Sequence, residues 1–287
     1  MSNPAAIETK LTQLKLGCIR VVYPEWIERA AQSEMTPTGY PAEFLDELLS
    51  EELLARQENQ MRKRQREAKF PFAASIEQFD WNLRPELKRA VMLRYFDSSF
   101  VEKASNLLLI GASGLGKTLL AVALGRKMIQ LGYCVRFVTA QELANAVLKA
   151  SSRQEVERLI TPLLKCDLLI LDELEYLPLD APFGPILYEL ISGRYQKGAT
   201  IITSNKSLAV WGEIIGGGGS DTALMMAIID RLLHQGEAYY FKGPSLRLRG
   251  KDGSQLVGAG GVGSNLKAAP PSSGNTALPT PMEAGPE

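Results

Sequence analysis

Gly111, Ala112, Ser113, Gly114, Leu115, Gly116, Lys117 and Thr118 spell G-x-x-x-x-G-K-[ST], and this octet constrains the fold more than any other stretch. A short apolar run, Asn106–Ile110, precedes it and suits a buried parallel strand. From Thr118 the pattern turns helical. The glycines therefore occupy a strand-to-helix turn, where backbone N–H groups and a helix N-terminus face an anion. Gly111, Gly114 and Gly116 tolerate positive φ and close approach of a phosphate to the main chain. Lys117 can reach the β- and γ-phosphates of a nucleotide, and Thr118 can offer its hydroxyl to Mg²⁺.

The 287 residues suggest one sizeable domain with additions. Lys and Arg number 32, as do Asp and Glu, so any nucleic-acid contact must come from a local patch. Cys18, Cys134 and Cys166 are scattered without metal-ligand spacing, which predicts buried free thiols in a reducing compartment. His234 is the only histidine, which excludes a His-cluster metal site and argues against a His-based triad. Met1-Ser-Asn-Pro-Ala-Ala lacks a basic segment followed by an apolar one, and no apolar stretch approaches membrane-spanning length. The expectation is a cytoplasmic protein with no membrane contact.

Residues 1–70 read as a helical N-terminal domain. Pro41 is placed for a helix start, and Phe44, Leu45, Leu48, Leu49 and Leu53 follow at helical spacing. This helix opens on acids (Glu43, Asp46, Glu47, Glu51, Glu52) and closes on bases (Arg62, Lys63, Arg64, Arg66, Lys69). Acid first and base last complements the helix dipole. The density of bases on more than one helix face also suits contact with a nucleic-acid backbone, or a partner-binding surface. Phe70-Pro71-Phe72 ends the helix. Phe79 and Trp81 in the connector beyond are either core residues or a wall for an adenine base.

Past the loop, Leu119, Leu120, Ala123, Leu124 and Met128 predict a helix stopping at Gly132, then a strand over residues 133–138. Thr139-Ala-Gln-Glu142 is a capping box for a helix striped by Leu143, Val147 and Leu148, and a further helix runs to about Lys165. Strands alternating with helices predict a parallel sheet covered on both faces. The strand Asp167–Leu171 then ends in Asp172 and Glu173. Carboxyl ends of parallel strands are where ligands bind, on the side that carries the octet. Asp172 suits Mg²⁺, held through the ion's water; Glu173 is placed to orient a water for attack on a γ-phosphate. Asp followed by Glu argues for hydrolysis over nucleotide binding alone.

Ile186, Leu187, Leu190 and Ile191 mark a helix ending near Gly198, followed by the strand Thr200–Ser204 with Asn205 at its end. Asn205 either makes a turn or bonds the γ-phosphate or attacking water. Gly216–Ser220 reads as a tether. Asp221 caps a helix that buries Leu224, Met225, Ile228, Ile229, Leu232 and Leu233. Arg231 in this helix either snorkels, pairs with Asp230, or projects into a neighbouring subunit's site as an arginine finger. Tyr239–Phe241 and Ser245–Arg249 read as short closing strands, and residues 250–287, rich in Gly, Ala, Pro and Ser, as a disordered tail.

These elements together resemble the IstB-like ATP-binding proteins, helpers of a two-protein class of insertion sequences. That group is related to the DnaC/DnaI helicase loaders within the AAA+ ATPases. The resemblance runs through Gly111–Thr118, Leu168–Glu173 with Leu177-Pro178, Arg194-Tyr195, Thr203–Asn205, Trp211-Gly212, Asp230–His234 and Ser245–Arg249. Glu43-Phe-Leu45, Glu52, Arg56 and the basic run extend it to the N-terminus, so that it covers about residues 10–249. It implies an α/β fold: a P-loop AAA+ core over residues 71–249, its parallel sheet flanked by helices. A small helical N-terminal domain precedes the core, and no C-terminal helical lid follows it. It implies that Lys117 and Thr118 serve phosphate and Mg²⁺, that Asp172 and Glu173 are the acidic pair, and that Asn205 senses the γ-phosphate. Arg231 resembles the finger acting across a subunit interface and Arg247 the second sensor. Function, on the same basis, is ATP hydrolysis coupled to homo-oligomerisation on duplex DNA and delivery of that DNA to a partner transposase. A helicase loader is the alternative, and a nucleotide-switched binding module without hydrolysis is a third reading, against which Glu173 speaks. The Gly216–Ser220 stretch and the long tail depart from the family pattern.

Overall fold

The computed structural model describes residues 4–32, 40–174, 183–211 and 221–245. Three helices come first: α1 (Pro4–Gln13), α2 (Gly17–Gln32) and α3 (Tyr40–Ala68). A connector carries two short helices, α4 (Arg89–Leu93) and α5 (Ser99–Glu102). The chain then alternates: β1 (Asn106–Ile110), α6 (Lys117–Gln130), β2 (Val135–Thr139), α7 (Ala140–Lys149), α8 (Arg153–Lys165), β3 (Leu168–Asp172), α9 (Phe183–Arg194), β4 (Ala199–Ser204), α10 (Asp221–His234) and β5 (Gly236–Tyr240).

The strands form one sheet in the order β2-β3-β4-β1-β5, and every pairing is parallel. β1, β3 and β4 are buried along their whole length, as the interior of a sheet covered on both faces requires. Their side chains alternate between two cores. Leu107, Leu109, Leu168, Ile170 and Ile201 meet Leu120, Leu124 and Met128 of α6 with Phe79 and Phe241. Leu108, Leu169, Leu171 and Ile202 meet Leu143, Leu187, Leu190, Met225 and Ile228 on the other face. Register aligns Ile110 with Ser204 and Thr139 with Asp172, so the strands end together on one side. Because β1 lies between β4 and β5 while the chain crosses from it to β2 at the far edge, a crevice opens at those ends.

α3 spans two environments. One end packs on α2, the other on α6 and β2. Ala68 is fully buried, Phe70 meets the Phe137 ring edge-on at 6.3 Å, and Arg136 donates to Glu67 at 2.9 Å. The described residues accordingly cluster as one compact unit. Near α2, the Glu52 carboxylate accepts the N–H groups of Cys18 and Ile19 at 2.8 and 3.1 Å and Arg56 Nε at 2.9 Å. It thus supplies from a distant helix the cap that the first turn of α2 lacks locally.

Four departures from expectation concern burial and boundaries. Leu48 is buried, but Leu45, Leu49 and Leu53 are exposed, because α2 covers only one side of α3. Leu148 and Leu233 also face outward, lying one position off the buried stripes of α7 and α10. The strand expected at Tyr239 begins at Gly236 and pairs along the whole of β1. Cys166 is buried while Cys18 and Cys134 are half-buried, all three as free thiols. The Gly216–Ser220 stretch, Leu177-Pro178, Arg247, Arg249, the absent lid and the tail fall on residues outside those described. No helix among the described residues is long and apolar enough to cross a membrane.

Candidate functional site

Ile110 hands the chain to the 111–116 turn, and α6 begins at Lys117. Gly116 caps α6 at φ 93°, and Gly111 has φ 148°. A Cβ at Gly111 would lie 2.5 Å from the Phe241 carbonyl oxygen, so only glycine permits the β5 exit to pass this close. Lys117 Nζ donates to the carbonyls of Gly111 at 2.5 Å and Ala112 at 2.8 Å. The ammonium thus lies along the loop rather than out in solvent.

Asp172 ends β3 beside this turn and is buried. Thr118 Oγ1 donates to its carboxylate at 3.0 and 3.1 Å. Thr203 of β4 donates to the same carboxylate and accepts the Glu173 N–H at 2.9 Å. Glu173 itself takes a left-handed backbone, φ 56°, a conformation unfavourable for a residue with a Cβ. The strand direction is broken there, and the second carboxylate leaves the line of the sheet. Asn205 follows the adjacent strand, so Glu173 and Asn205 stand past the ends of paired neighbours.

These groups line one cavity of about 530 Å³. Ser113, Gly114, Leu115, Gly116, Lys117 and Thr118 form its floor, and Asp172, Glu173, Thr203 and Asn205 one wall. Lys69, Pro71, Phe72 and Phe137 form an apolar-to-basic wall on the other side. A partly exposed polar loop with an adjoining apolar wall suits a nucleotide, phosphates on the loop and base against the rings. Phe79 does not supply that wall: it is buried in the core, packed on Trp81 at 4.7 Å and edge-on to Phe241 at 6.4 Å. Of the two readings of Phe79, core packing is the one observed, and Phe72, next to the helix-breaking Pro71, is the connector ring that lines the cavity. A hydroxyl and a carboxylate within 3.1 Å of each other at the cavity are hard oxygen donors of the kind Mg²⁺ takes.

The arginines divide. Arg231 lies outside this cavity. Its Nη2 donates to the Tyr188 hydroxyl at 2.9 Å, its Nη1 to the Ala227 carbonyl at 2.9 Å, and its guanidinium sits 4.8 Å from the Tyr188 ring centroid. Of the alternatives for Arg231, pairing with Asp230 is not the one the chain adopts; Tyr188 and the Ala227 carbonyl are its partners. Arg194 is buried at the opposite ends of the strands, where it bonds the carbonyls of Leu163, Cys166 and Ala199. Burial pushes its pKa below the usual arginine value. It ties α8 and β4 to the end of α9 and cannot reach the loop. Arg84, unremarked in the sequence, is fully buried against the loop. Arg62, Lys63 and Arg66 are exposed on α3, and Arg64 is half-buried. Arg62 stands 3.6 Å from Glu58 and Lys63 3.9 Å from Glu67, pairs loose enough to yield to another anion.

Comparison with known proteins agrees with this geometry. Residues 9–254 match the family of the IstB-like ATP binding protein. The chain is 36% identical over 245 residues to a Pseudomonas aeruginosa protein of insertion sequence IS21 named for ATP binding, covering 85% of this chain and 89% of that one. It is 35% identical to a similarly named protein of IS5376 from Geobacillus stearothermophilus, covering 82% and 93%. Among solved structures, DnaI superposes with a TM-score of 0.50 at 19% identity, over 59% of this chain and 91% of DnaI. The replication initiator DnaA bound to AMPPCP and single-stranded DNA also gives 0.50, at 18% identity over 61% and 52%. At these identities the two structures speak to the fold alone, a P-loop core of the AAA+ type.

Proposed function

The chain belongs to the family of IstB-like ATP-binding proteins, and from that premise we propose that it is an ATPase whose nucleotide state governs assembly on duplex DNA and engagement of a partner transposase. The observation that carries hydrolysis is the acidic pair beside the loop: Asp172 held by Thr118 and Thr203, and Glu173 turned out of the strand.

Main-chain N–H groups of residues 111–116 and the Lys117 ammonium bind the phosphates of ATP. Thr118 and Asp172 would hold Mg²⁺, which when bound neutralises charge on the β- and γ-phosphates. Glu173 orients the attacking water and accepts its proton as the water oxygen bonds the γ-phosphorus and the bond from that phosphorus to the β–γ bridging oxygen breaks, releasing ADP and phosphate. Asn205 hydrogen-bonds the γ-phosphate or that water. Arg247 reaches the nucleotide from the C-terminal side. Arg231 acts on a neighbouring copy's γ-phosphate, completing a site that one chain leaves unfinished. Arg62, Lys63, Arg64 and Arg66 meet the DNA backbone from the N-terminal region, residues 1–70, while residues 71–249 carry the ATPase. On this reading the protein works with DNA in the cytoplasm.

The test is phosphate release together with imaging on duplex DNA, in ATP and in ADP. ATP-dependent oligomers on duplex DNA and steady hydrolysis are expected, with hydrolysis abolished but ATP still bound in Glu173→Gln. Unchanged phosphate release by Glu173→Gln would refute the hydrolytic role. Preference for single-stranded DNA, with no duplex assembly, would favour the helicase-loader reading instead.

A further inference from the structure

Arg84 has no exposed surface, and three of its donors end on main-chain carbonyls. Nε donates to Leu115 at 3.0 Å, Nη1 to Leu83 at 2.6 Å and Nη2 to Pro244 at 2.9 Å. Leu115 lies in the middle of the phosphate loop. Pro244 lies beyond β5, in the segment that leads to Arg247. Burying a cation is costly, and carbonyl dipoles offset that cost only when the geometry is held. Here it is held from both sides. Arg84 N–H bonds the Trp81 carbonyl at 3.1 Å, and the Arg84 carbonyl accepts the Leu87 N–H at 2.9 Å.

The bond to Leu115 has a consequence for the loop. A trans peptide is planar, and its C=O and N–H point in opposite directions. The chain holds no cis peptide among the described residues. With the Leu115 carbonyl bonded to Arg84 in the interior, the Gly116 N–H on the same peptide is turned away from Arg84, on the side where Gly116 lines the cavity. Rotating this peptide would present a carbonyl, rather than an N–H, to an anion.

We propose that Arg84 is a positioning residue of the nucleotide site, locking the Leu115–Gly116 peptide with its N–H toward the phosphates and tying the loop to the 241–244 segment. This rests on the assignment of residues 111–118 as the phosphate site. Arg84 touches no substrate; it acts through the peptide it holds and through its positive charge beneath the loop. Gly243, at φ 101°, makes the same link from the other end, since a Cβ there would lie 3.1 Å from Arg84 Nη1.

The experiment uses the full chain and displacement of a fluorescent ADP by ADP and by adenosine, which has no phosphates. The readout is the ratio of the two affinities. Loss of a buried charged hydrogen-bond donor predicts a roughly tenfold or larger fall in that ratio for Arg84→Met. Arg84→Lys, which keeps the charge and can reach one carbonyl, should restore part of it. Gly243→Ala, which perturbs the guanidinium without removing it, should lower the ratio less, and it serves if Arg84→Met fails to fold. An unchanged ratio in the folded variants, with only a lower melting temperature, would overturn the proposal and leave Arg84 a packing residue. Lys117→Ala separates the two claims. If wild type shows no preference for ADP, or keeps it in Lys117→Ala, the phosphate-site assignment fails; if Lys117→Ala loses the preference and the Arg84 variants keep it, only the Arg84 proposal fails.

Discussion

Thr203 donates its hydroxyl proton to Asp172 and accepts the Glu173 N–H, so one buried hydroxyl serves both carboxylate residues. Removing it leaves a half-buried N–H and a buried carboxylate each one partner short. Thr203→Val, nearly the same shape, should cost about 1–3 kcal/mol of stability by urea denaturation. It should also lower kcat for ATP, because the turn at Glu173 loses its anchor. Thr203→Ser should retain most of both. Equal denaturation midpoints and equal turnover for Val and Thr would show that the hydroxyl does neither job. Left-handed backbone at Glu173 is consistent with that anchoring, since strained conformations persist only where neighbours over-determine them.

At the scale of elements, α3 couples the N-terminal helices to α6 and β2 of the core. Its acidic half holds α2 through Glu52. Burial pushes the Glu52 carboxyl upward, and the Ile19 and Cys18 N–H bonds with Arg56 more than reverse this, leaving it below the ordinary value of 4.5. A carboxyl depressed in the folded state stabilises above its unfolded pKa and loses that contribution as pH falls through the folded one. Docking of α2 should therefore weaken below about pH 4.5, seen as faster amide exchange at Cys18 and Ile19. In Glu52→Gln this acid dependence should vanish and exchange should be fast at neutral pH. The basic half of α3 belongs to the DNA prediction. Neutralising Arg62, Lys63, Arg64 and Arg66 should flatten the salt dependence of duplex binding, by roughly 0.9 in the log–log slope for each phosphate no longer neutralised. An unaltered slope would return these residues to dipole compensation within α3.

The whole molecule, as described, carries the loop and the acidic pair on one cavity but holds Arg231 on Tyr188, outside it. An arginine supplied in trans is worth about 10³–10⁵ in rate where such fingers act. ATP turnover per chain should then climb steeply with protein concentration and with duplex DNA. Arg231→Ala should abolish that climb while leaving ATP affinity intact. If the concentration dependence survives the substitution, the assignment in trans is wrong.

Much of this was legible along the chain, because it depends on near neighbours. The octet at 111–118, the period of β1, β3 and β4, the Thr139 capping box and the break after α3 are local patterns, and each forms where expected. The acidic pair was legible for the same reason, as a strand ending in charge. What local pattern leaves open is which groups from distant segments meet. Thr203 bridging Asp172 and Glu173, Phe72 rather than Phe79 lining the cavity, Glu52 capping α2 and Tyr188 holding Arg231 all depend on how the layers pack. Arg84 is the clearest instance. An arginine before a proline looks like any polar turn, and only the closure of β5 against β1 brings Pro244 and Leu115 within reach of one guanidinium. Hydrogen-bonding type and periodicity are properties of residues and short segments; the pairing of buried polar groups is a property of the closed sheet.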